Sequence, residues 1–518
     1  MLSRSILVIS LFFGCIVNAQ TDFELDLGSI HYEFENMHYR DRIEHSFQNF
    51  KRDKSIHSAV KPAIISEIPD DAFVKTKFRL NYQKQKENTW FNLYPLADLN
   101  GGIELGNNNE TLLHAGVGFG FDVSTPKFVL TAKALPYYNM SGTLGDTVVS
   151  HYNMDFGTNR AIAENIFYNA ELLMAYRANK FFTFMGGYGR NFFGNGYRSM
   201  LLSDNVGAHP FFKIETSFAG VKYVNLYNFW RDNTADPYDR SQDILKFNSS
   251  HYISWNITKS LNLAVFETVV FQVRDTLVNR GFDFNYINPI VFYRPVEYGL
   301  GSSDNVLLGM DLSYKLKDKH VIYSQFMLDE FLLSEIKARS RWWANKYAWQ
   351  IGYKSNAFFN DSLYFQIELN GARPFTYSHR RSQHAYGHMN AAAAHPIGAN
   401  FMELVQITSY KMNKHRLTNK ITFASYGADN SDSISFGTDI FKSYAMREGN
   451  YDHFMYQGGR LNVLNESFIY EYALLPAIDL FLMAKYNWRM VNTSAGTDHF
   501  HAFTVGIRSR IWNAYSDY

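Results

Sequence analysis

Residues 478–488, IDLFLMAKYNW, have the two-residue period of a β-strand. One face is continuously apolar and ends in two aromatic residues: Ile478, Leu480, Leu482, Ala484, Tyr486 and Trp488. The opposite face holds Asp479 and Lys485, which a watery lumen tolerates. An aliphatic band that ends in aromatic residues is typical of a lipid-facing strand. A half-buried strand of a soluble protein shows the same alternation of apolar and polar residues. The number of such segments therefore has to distinguish a membrane barrel from a soluble β-protein.

The same alternation recurs along the chain from Lys75 onward. It is clearest in residues 113–123, 306–316 and 363–369, where every second side chain is apolar or aromatic. We count roughly sixteen to twenty such segments, and a tilted strand needs about 9–11 residues to cross a bilayer. The segments show no convincing repeat, which favours one closed barrel. Closure pairs the backbone N–H and C=O groups of the sheet edges, which lipid cannot hydrogen-bond. The sequence therefore predicts an all-β fold, a transmembrane antiparallel β-barrel.

The aromatic content supports the same prediction. The chain has 35 Tyr, 44 Phe and 8 Trp, together 17% of its 518 residues. A barrel wall needs such amphipathic rings at both membrane–water boundaries. A large secreted β-protein such as a sandwich, propeller or β-helix is the alternative. Because 50 Lys and Arg balance 49 Asp and Glu, the chain has no basic field to hold nucleic acid.

The N-terminus has the features of a secretory signal peptide. Arg4 precedes an apolar run over residues 6–17, and Ala19 occupies the cleavage position, so residues 1–19 are predicted to be removed. The single cysteine, Cys15, lies in this run, which leaves the mature chain without a disulfide or a cysteine-bound metal. The alternative is a lipoprotein that is acylated at Cys15. Phe12 and Phe13, which precede Gly14, disfavour this alternative. Export without disulfides indicates the cell outer membrane.

The remaining chain divides into an N-terminal segment and the barrel. Residues 20–74 are polar with mixed charge and are predicted to form a periplasmic or plug-like segment, followed by the barrel over residues 75–518. Two stretches interrupt the alternation. Residues 329–346 predict a short amphipathic helix, and residues 374–401 form a long segment rich in His and Ala. Both are predicted to be loops or to line the lumen.

Arginine and tryptophan side chains near these two stretches are candidates for binding a polysaccharide. Arg373, Arg380 and Arg381 could hold an anionic sugar, because guanidinium groups pair with carboxylates in a bidentate way. Lumen arginines paired with barrel carboxylates are the alternative. Trp342 and Trp343 could stack on sugar rings, with interfacial aromatics at the membrane boundary as their alternative.

Three histidines complete the candidate polysaccharide-binding set: His379, His384 and His388. The alternative is a zinc or copper site, since the spacing of His384 and His388 places both on one face of a helix. No Asp or Glu lies between residues 379 and 401, and HAYGH lacks the glutamate of a HExxH protease. We therefore predict no metal and no cofactor. The chain has neither a GxSxG nucleophile elbow nor a GK[ST] phosphate loop, so it is not expected to be an enzyme.

Three blocks carry a family resemblance. They are residues 189–214 (GRNFFGNGYRSMLLSDNVGAHPFFKI), residues 288–312 (NPIVFYRPVEYGLGSSDNVLLGMDL) and residues 370–401, with ARPFTYSH, YGH and HPIGANF. They resemble the capsule-assembly family of outer-membrane proteins typified by Wzi, and in particular its Bacteroidota branch, which includes the RemB-like gliding-motility proteins. The resemblance implies an outer-membrane barrel of about 18 strands, with short helical or loop elements in or over the lumen. It also implies lectin-like attachment of capsular or other exopolysaccharide, and a role at the gliding cell surface.

Three functions are consistent with the sequence. The first is a non-enzymatic barrel that binds or organises surface polysaccharide, in gliding motility or adhesion. The second is an outer-membrane transport channel, and the third is an accessory subunit that partners gliding or secretion machinery. We expect an open lumen lined by charge if the chain is a channel. A lumen closed by residues 329–346 and 374–401 would favour binding.

Overall fold

A computed structural model describes most of the predicted barrel region. The described residues are 82–86, 89–106, 109–125, 127–140, 160–163, 166–232, 243–272, 281, 284–288, 304–317, 319–359, 362–429, 431–475 and 480–509. The predicted signal peptide and the segment over residues 20–74 lie outside this part of the chain.

The described residues form mainly β-strands. The strands are β1 (Tyr82–Lys86), β2 (Thr89–Leu105), β3 (Glu110–Ser124), β4 (Phe128–Met140), β5 (Arg160–Ala163), β6 (Ile166–Arg177), β7 (Phe182–Gly189), β8 (His209–Phe218), β9 (Val221–Asp232), β10 (Ile244–Asn256), β11 (Leu261–Gln272), β12 (Asn305–Leu316), β13 (His320–Glu330), β14 (Lys346–Phe358), β15 (Leu363–Ala372), β16 (Gly387–His388), β17 (Ala391–Ala392), β18 (Phe401–Met412), β19 (His415–Ala428), β20 (Gly459–Leu475), β21 (Leu480–Thr493) and β22 (Gly496–Ser509). A short helix, α1 (Leu333–Ala338), lies between β13 and β14.

Successive strands pair in antiparallel fashion around a closed ring. The last strand returns to the start of the ring, where β22 pairs with β2 from Asp98↔Arg508 to Leu105↔His501. The ring contains 18 strands. The short strands β1 and β5 extend the wall beside β2 and β6, while β16 and β17 form a separate hairpin. The predicted antiparallel β-barrel of about 18 strands is therefore confirmed.

The two ends of the barrel differ in the length of their connections. At one end the turns are short, as between β8 and β9, where two residues, Ala219 and Gly220, join the strands. At the other end the connections are long: residues 190–208 follow β7, residues 373–400 follow β15 and residues 429–458 follow β19. Outer-membrane barrels have short periplasmic turns and longer extracellular loops. We call the two ends the short-turn end and the long-loop end.

The exterior of the barrel is apolar. Val117 and Phe119 on β3 and Ile351 on β14 are each more than half exposed, and they point away from the lumen. On β12 the pattern predicted for residues 306–316 is confirmed, since Met310 and Leu312 point outward and Asp311 is buried inside. A closed barrel pairs the backbone hydrogen bonds of its wall internally and presents mainly apolar side chains to lipid. The protein is an outer-membrane β-barrel.

The described residues include no helix with the length and hydropathy needed to span a bilayer. The helix predicted over residues 329–346 is present but much shorter, because only Leu333–Ala338 is helical. It ends at Arg339, which adopts the left-handed backbone conformation (φ 52°). Residues 329 and 330 belong to β13 and Lys346 begins β14. Leu333 and Ile336 are exposed, and neither belongs to the apolar cluster of the interior. The segment is therefore a connection between β13 and β14, as one of the two alternatives predicted, and it does not fill the lumen.

Candidate functional site

Two long connections fold back into the barrel from the long-loop end. We call residues 190–208 the lumen segment and residues 373–400 the His-rich segment. Met200, Leu201 and Val206 of the lumen segment are fully buried, as are Tyr377 and Tyr386 of the His-rich segment. All of them belong to one apolar cluster with inward-facing wall residues. The prediction that residues 374–401 line or close the lumen is confirmed.

The lumen segment wraps around the carboxylate of Glu368, which points inward from β15. The backbone N–H groups of Tyr197 and Arg198 donate to its two oxygens at 2.8 and 3.1 Å. The hydroxyl of Tyr323 donates to the same carboxylate at 2.8 Å. This close approach requires Gly196, since a methyl group there would overlap the Glu368 carboxylate and the carbonyl oxygen of Arg198.

The side chain of Arg198 is neutralised by a second wall carboxylate. Its Nη2 lies 2.9 Å from Oε1 of Glu403 on β18, and both side chains are fully buried. His395 of the His-rich segment places Nε2 2.7 Å from Oε2 of Glu403, and Asn370 donates to the same oxygen at 3.1 Å. Buried charges are stable only when paired and hydrogen-bonded. Glu403 therefore fixes both segments to the wall.

Other inward-facing wall residues hold the first part of the lumen segment. Lys354 on β14 donates to the carbonyl oxygen of Asn195 at 3.1 Å, and the amide of Asn195 donates to Asp311 on β12 at 3.2 Å. Gln325 on β13 accepts from the backbone N–H of Met200 at 2.8 Å. Inward-facing polar side chains of five strands thus hold the lumen segment in place.

The His-rich segment packs on the lumen segment through its backbone and two tyrosines. The hydroxyls of Tyr377 and Tyr386 donate to the carbonyl oxygens of Met200 and Leu201, both at 2.8 Å. The backbone N–H of Ser203 donates to the carbonyl oxygen of Ala393 at 2.7 Å. Small side chains at residues 391–394 permit this contact between two backbones.

The structure places His384 and His388 inside the barrel. His384 ends a 3-10 turn and His388 belongs to β16, so the two rings do not share a helix face. His388 accepts the backbone N–H of Arg231 at 2.9 Å, and the carbonyl oxygen of His384 accepts from Asn305 at 3.0 Å. Among the described residues, no three His, Cys, Asp or Glu side chains converge as metal ligands.

Four of the predicted residues meet at the long-loop end: Trp343, His379, Arg380 and Arg381. The ring of Tyr444 joins them, at 4.7 Å from Trp343 and 5.7 Å from His379 between ring centroids. The guanidinium carbon of Arg447 lies 3.9 Å from the centroid of the Trp343 ring. We call these six residues the rim cluster.

The rim cluster carries its positive charge on arginines. Arg380 is exposed, and Arg381 and Arg447 are half-buried. Burial, followed by the neighbouring His384, Lys346, Arg381 and Arg380, lowers the pKa of His379 to about 3. His379 is therefore neutral at physiological pH. Nζ of Lys346 lies 3.1 Å from Oδ1 of Asp329, which neutralises it. The arginines therefore supply the positive charge that a ligand would contact.

Arg373 and Trp342 lie beside the rim cluster and support it. Nη2 of Arg373 donates to the carbonyl oxygens of Trp342 and His453 at 3.4 and 3.3 Å. The guanidinium group of Arg373, which is half-buried, thereby links three connections. Trp342 is half-buried, and its ring centroid lies 6.1 Å from that of Trp343.

Sequence reasoning did not select Tyr444, Arg447, Arg198 or Glu403. Tyr444 and Arg447 belong to residues 429–458, a polar connection in which neither residue stands out by type or spacing. Arg198 and Glu403 are 205 residues apart in sequence. One signal in the sequence could have pointed to Arg198. The block over residues 189–214, which carries the family resemblance, contains the lumen segment.

No protein-family model and no curated protein sequence matches the chain. Among solved structures, the chain is similar to Wzi of Escherichia coli, described as a carbohydrate-binding β-barrel involved in group 1 capsule assembly. The two are 10% identical, with 79% of this chain and 84% of Wzi covered and a TM-score of 0.49. OprD of Pseudomonas aeruginosa is 11% identical, with 84% and 99% covered and a TM-score of 0.41. OpdK of Pseudomonas aeruginosa, solved with vanillate, is 10% identical, with 82% and 98% covered and a TM-score of 0.44.

Proposed function

We propose that this outer-membrane barrel binds capsular or other surface exopolysaccharide at the rim cluster, without catalysing a reaction. The observation that carries the proposal is the pairing of Trp343 and Tyr444 with exposed and half-exposed arginines at the long-loop end. Guanidinium groups pair with the carboxylates of acidic sugars. Trp343 is buried and packs behind Tyr444. The half-buried ring of Tyr444 is therefore the one that offers a flat apolar surface to the face of a sugar ring. The proposed ligand is therefore an acidic polysaccharide.

The packing of the lumen supports binding over passage. The lumen segment and the His-rich segment occupy the interior, and their backbone donors and buried charges are bonded to the wall. Moving them would break several buried interactions at once. The three sequence blocks that resemble the capsule-assembly family support the same role, and the Bacteroidota branch extends it to a gliding or adhesive cell surface.

Transport of a small solute is the second candidate, and one region of the lumen favours it. On the inner wall of β2, β3 and β22, the side chains of His114 and Arg508 are 28% and 30% exposed. Both contact Asp98, at 3.4 and 3.3 Å. A wet, charged strip of this kind is typical of a pore lining. Ion conductance of the purified protein in planar bilayers would favour this candidate, and its absence would favour the binding function.

Retention of polysaccharide on cells tests the proposed function. Arg380→Ala combined with Arg381→Ala is expected to reduce retention several-fold while leaving the amount of assembled barrel unchanged. A matched control is Lys411→Ala with Lys414→Ala, which removes the same charge at the short-turn end. Unchanged retention in the arginine variant, at normal barrel levels, would exclude the rim cluster as the binding site. Equal loss in both variants would indicate a general effect of charge.

A further inference from the structure

We propose that the exterior wall formed by β18, β19 and β20 is an interface within the membrane between two copies of this chain. Four polar side chains form a patch on this lipid-facing wall: Gln406, Thr408, Asn419 and Glu466. The proposal is independent of polysaccharide binding, because it concerns the outside of the barrel and none of the rim cluster.

The burial pattern of each strand shows that the patch faces outward. On β18, Leu404 and Tyr410 are exposed, and they share a face with Gln406 and Thr408, whereas Glu403 faces the lumen. On β19, Leu417 and Phe423 are exposed on the face of Asn419. On β20, Phe468 and Tyr470 are exposed on the face of Glu466. Alternate residues of a strand point to opposite faces, which assigns all four polar side chains to the exterior.

The patch lies within the apolar belt and not at its edge. Along β18 the next outward residues on either side are Leu404 and Tyr410. Along β19 they are Leu417 and Ile421, and along β20 they are Leu464 and Phe468. Apolar side chains flank the patch on both sides along all three strands, which places its polar groups at the level of the lipid hydrocarbon. On β20 the polar margin of the belt begins beyond Leu464, at Asn462 and Arg460.

The polar groups contact one another across the strands. The register sets Thr408 opposite Asn419, and Nδ2 of Asn419 donates to Oε1 of Glu466 at 3.0 Å. Gln406 donates to Thr408 on the same strand. These bonds use only part of the capacity of two amides and a carboxylate. Lipid chains offer no donors or acceptors, so polar side chains at this depth indicate a protein surface as their partner.

The arrangement of donors and acceptors fits a second copy. The amide of Gln406 lies on β18, the carboxylate of Glu466 lies on β20, and β19 separates them. A two-fold axis along the membrane normal, beside β19, brings β18 of one copy opposite β20 of the other. The donor-bearing strand of each copy then meets the carboxylate-bearing strand of its partner, as an isologous interface requires. Amide hydrogen bonds across such interfaces stabilise association in membranes.

The wall on another side of the barrel provides a comparison. On β3 the corresponding outward positions include Leu113, Val117 and Phe119, all exposed and apolar, and Val117 is 63% exposed. This wall needs no partner other than lipid. It therefore supplies a control site on an apolar part of the lipid-facing wall.

Cysteine cross-linking in outer membranes tests the proposal. In a Cys15→Ser background the chain has no cysteine, so single cysteines can be placed without interference. Ile421→Cys lies on β19 beside the proposed axis and keeps all four polar side chains of the patch, and Val117→Cys is the control. With a lipid-soluble oxidation catalyst, Ile421→Cys is expected to give a species of twice the barrel mass at several times the yield of Val117→Cys. Equal yields, or a cross-link only to a different protein, would overturn the proposal.

The mass of the detergent-purified protein gives a second readout. Wild type is expected to have twice the chain mass, and Asn419→Leu combined with Glu466→Leu is expected to shift it to a single chain, with at least tenfold weaker association. The double variant is more apolar on its lipid face, which favours barrel insertion. A wild type that is monomeric, or a variant that remains dimeric, would overturn the proposal. If the variant fails to assemble, the cross-linking result decides.

Discussion

Arginines occur in two regions of this barrel with opposite surroundings. Arg198 of the lumen segment is fully buried, and Glu403 neutralises it at 2.9 Å. Arg380 and Arg381 of the rim cluster remain at the long-loop end, where a ligand can reach them. An inward-facing wall carboxylate thus makes an arginine part of the packed interior, whereas an arginine without one stays available at the barrel end. The first region is expected to control assembly and the second to control binding.

The largest effect is expected at Glu403. Glu403→Ala leaves Arg198 and His395 buried without their carboxylate, and breaking a buried ion pair costs about 3–5 kcal/mol. We expect a large loss of folded barrel, measured as heat-modifiable mobility of the protein extracted from membranes. Combining Glu403→Gln with Arg198→Met removes both charges and is expected to restore part of the loss. Normal barrel levels in Glu403→Ala would contradict the structural role of this pair.

Gly196→Ala is expected to have the next largest effect. The added methyl group meets the Glu368 carboxylate, so the N–H groups of Tyr197 and Arg198 must move away from it. Overpacking of this kind costs about 1–3 kcal/mol. Gly101→Ala is the matched control, because a methyl group there has no atom within 4 Å. Thermal unfolding in detergent should separate the two variants, and equal midpoints would show that the lumen segment is not held at Glu368.

At the rim the expected effect on stability is small. Arg380→Ala with Arg381→Ala should change the free energy of unfolding by no more than about 1 kcal/mol, since a substitution at the surface usually changes it by no more than about 0.5 kcal/mol. The thermal midpoint of the purified variant checks this value. A substantial drop in the midpoint would show that these arginines support the fold, and it would remove the contrast with Arg198.

The last expected effect depends on pH and concerns His379. Its folded pKa of about 3 lies below the value of ~6.5 for an unfolded histidine. Between these two pH values the unfolded chain binds a proton that the folded chain does not, so His379 makes the barrel less stable as the pH falls below ~6.5. His379→Asn should therefore lose less thermal stability than wild type between pH 7.5 and pH 5. Parallel pH dependences would contradict a neutral, desolvated His379.

The sequence predicted the wall better than the contents of the lumen. Wall residues such as Met310 and Asp311 alternate because each strand separates lipid from the interior, and this constraint is local. The lumen segment has no such period. Its partner Glu368 is 170 residues away from Arg198, and only barrel closure brings them together.

The rim cluster was predicted in part. Trp343, His379, Arg380 and Arg381 were selected by residue type, because aromatic and guanidinium groups suit an acidic sugar. His384 and His388 have the same residue type as His379 but are buried, and the ring of His384 contacts that of His379 from inside, at 4.9 Å between centroids. Tyr444 comes from a connection whose position depends on tertiary packing, so its place beside Trp343 could not be predicted from spacing.

The most direct test of polysaccharide binding at the rim cluster is the affinity of the detergent-purified protein for an acidic and a neutral polysaccharide. We propose to compare a polyuronate with neutral dextran, using wild type and the Arg380→Ala, Arg381→Ala variant. Wild type is expected to bind the polyuronate more tightly than dextran, and the variant to lose at least tenfold in affinity for the polyuronate alone. Equal affinities of wild type and variant for the polyuronate would contradict binding of acidic polysaccharide at the rim cluster.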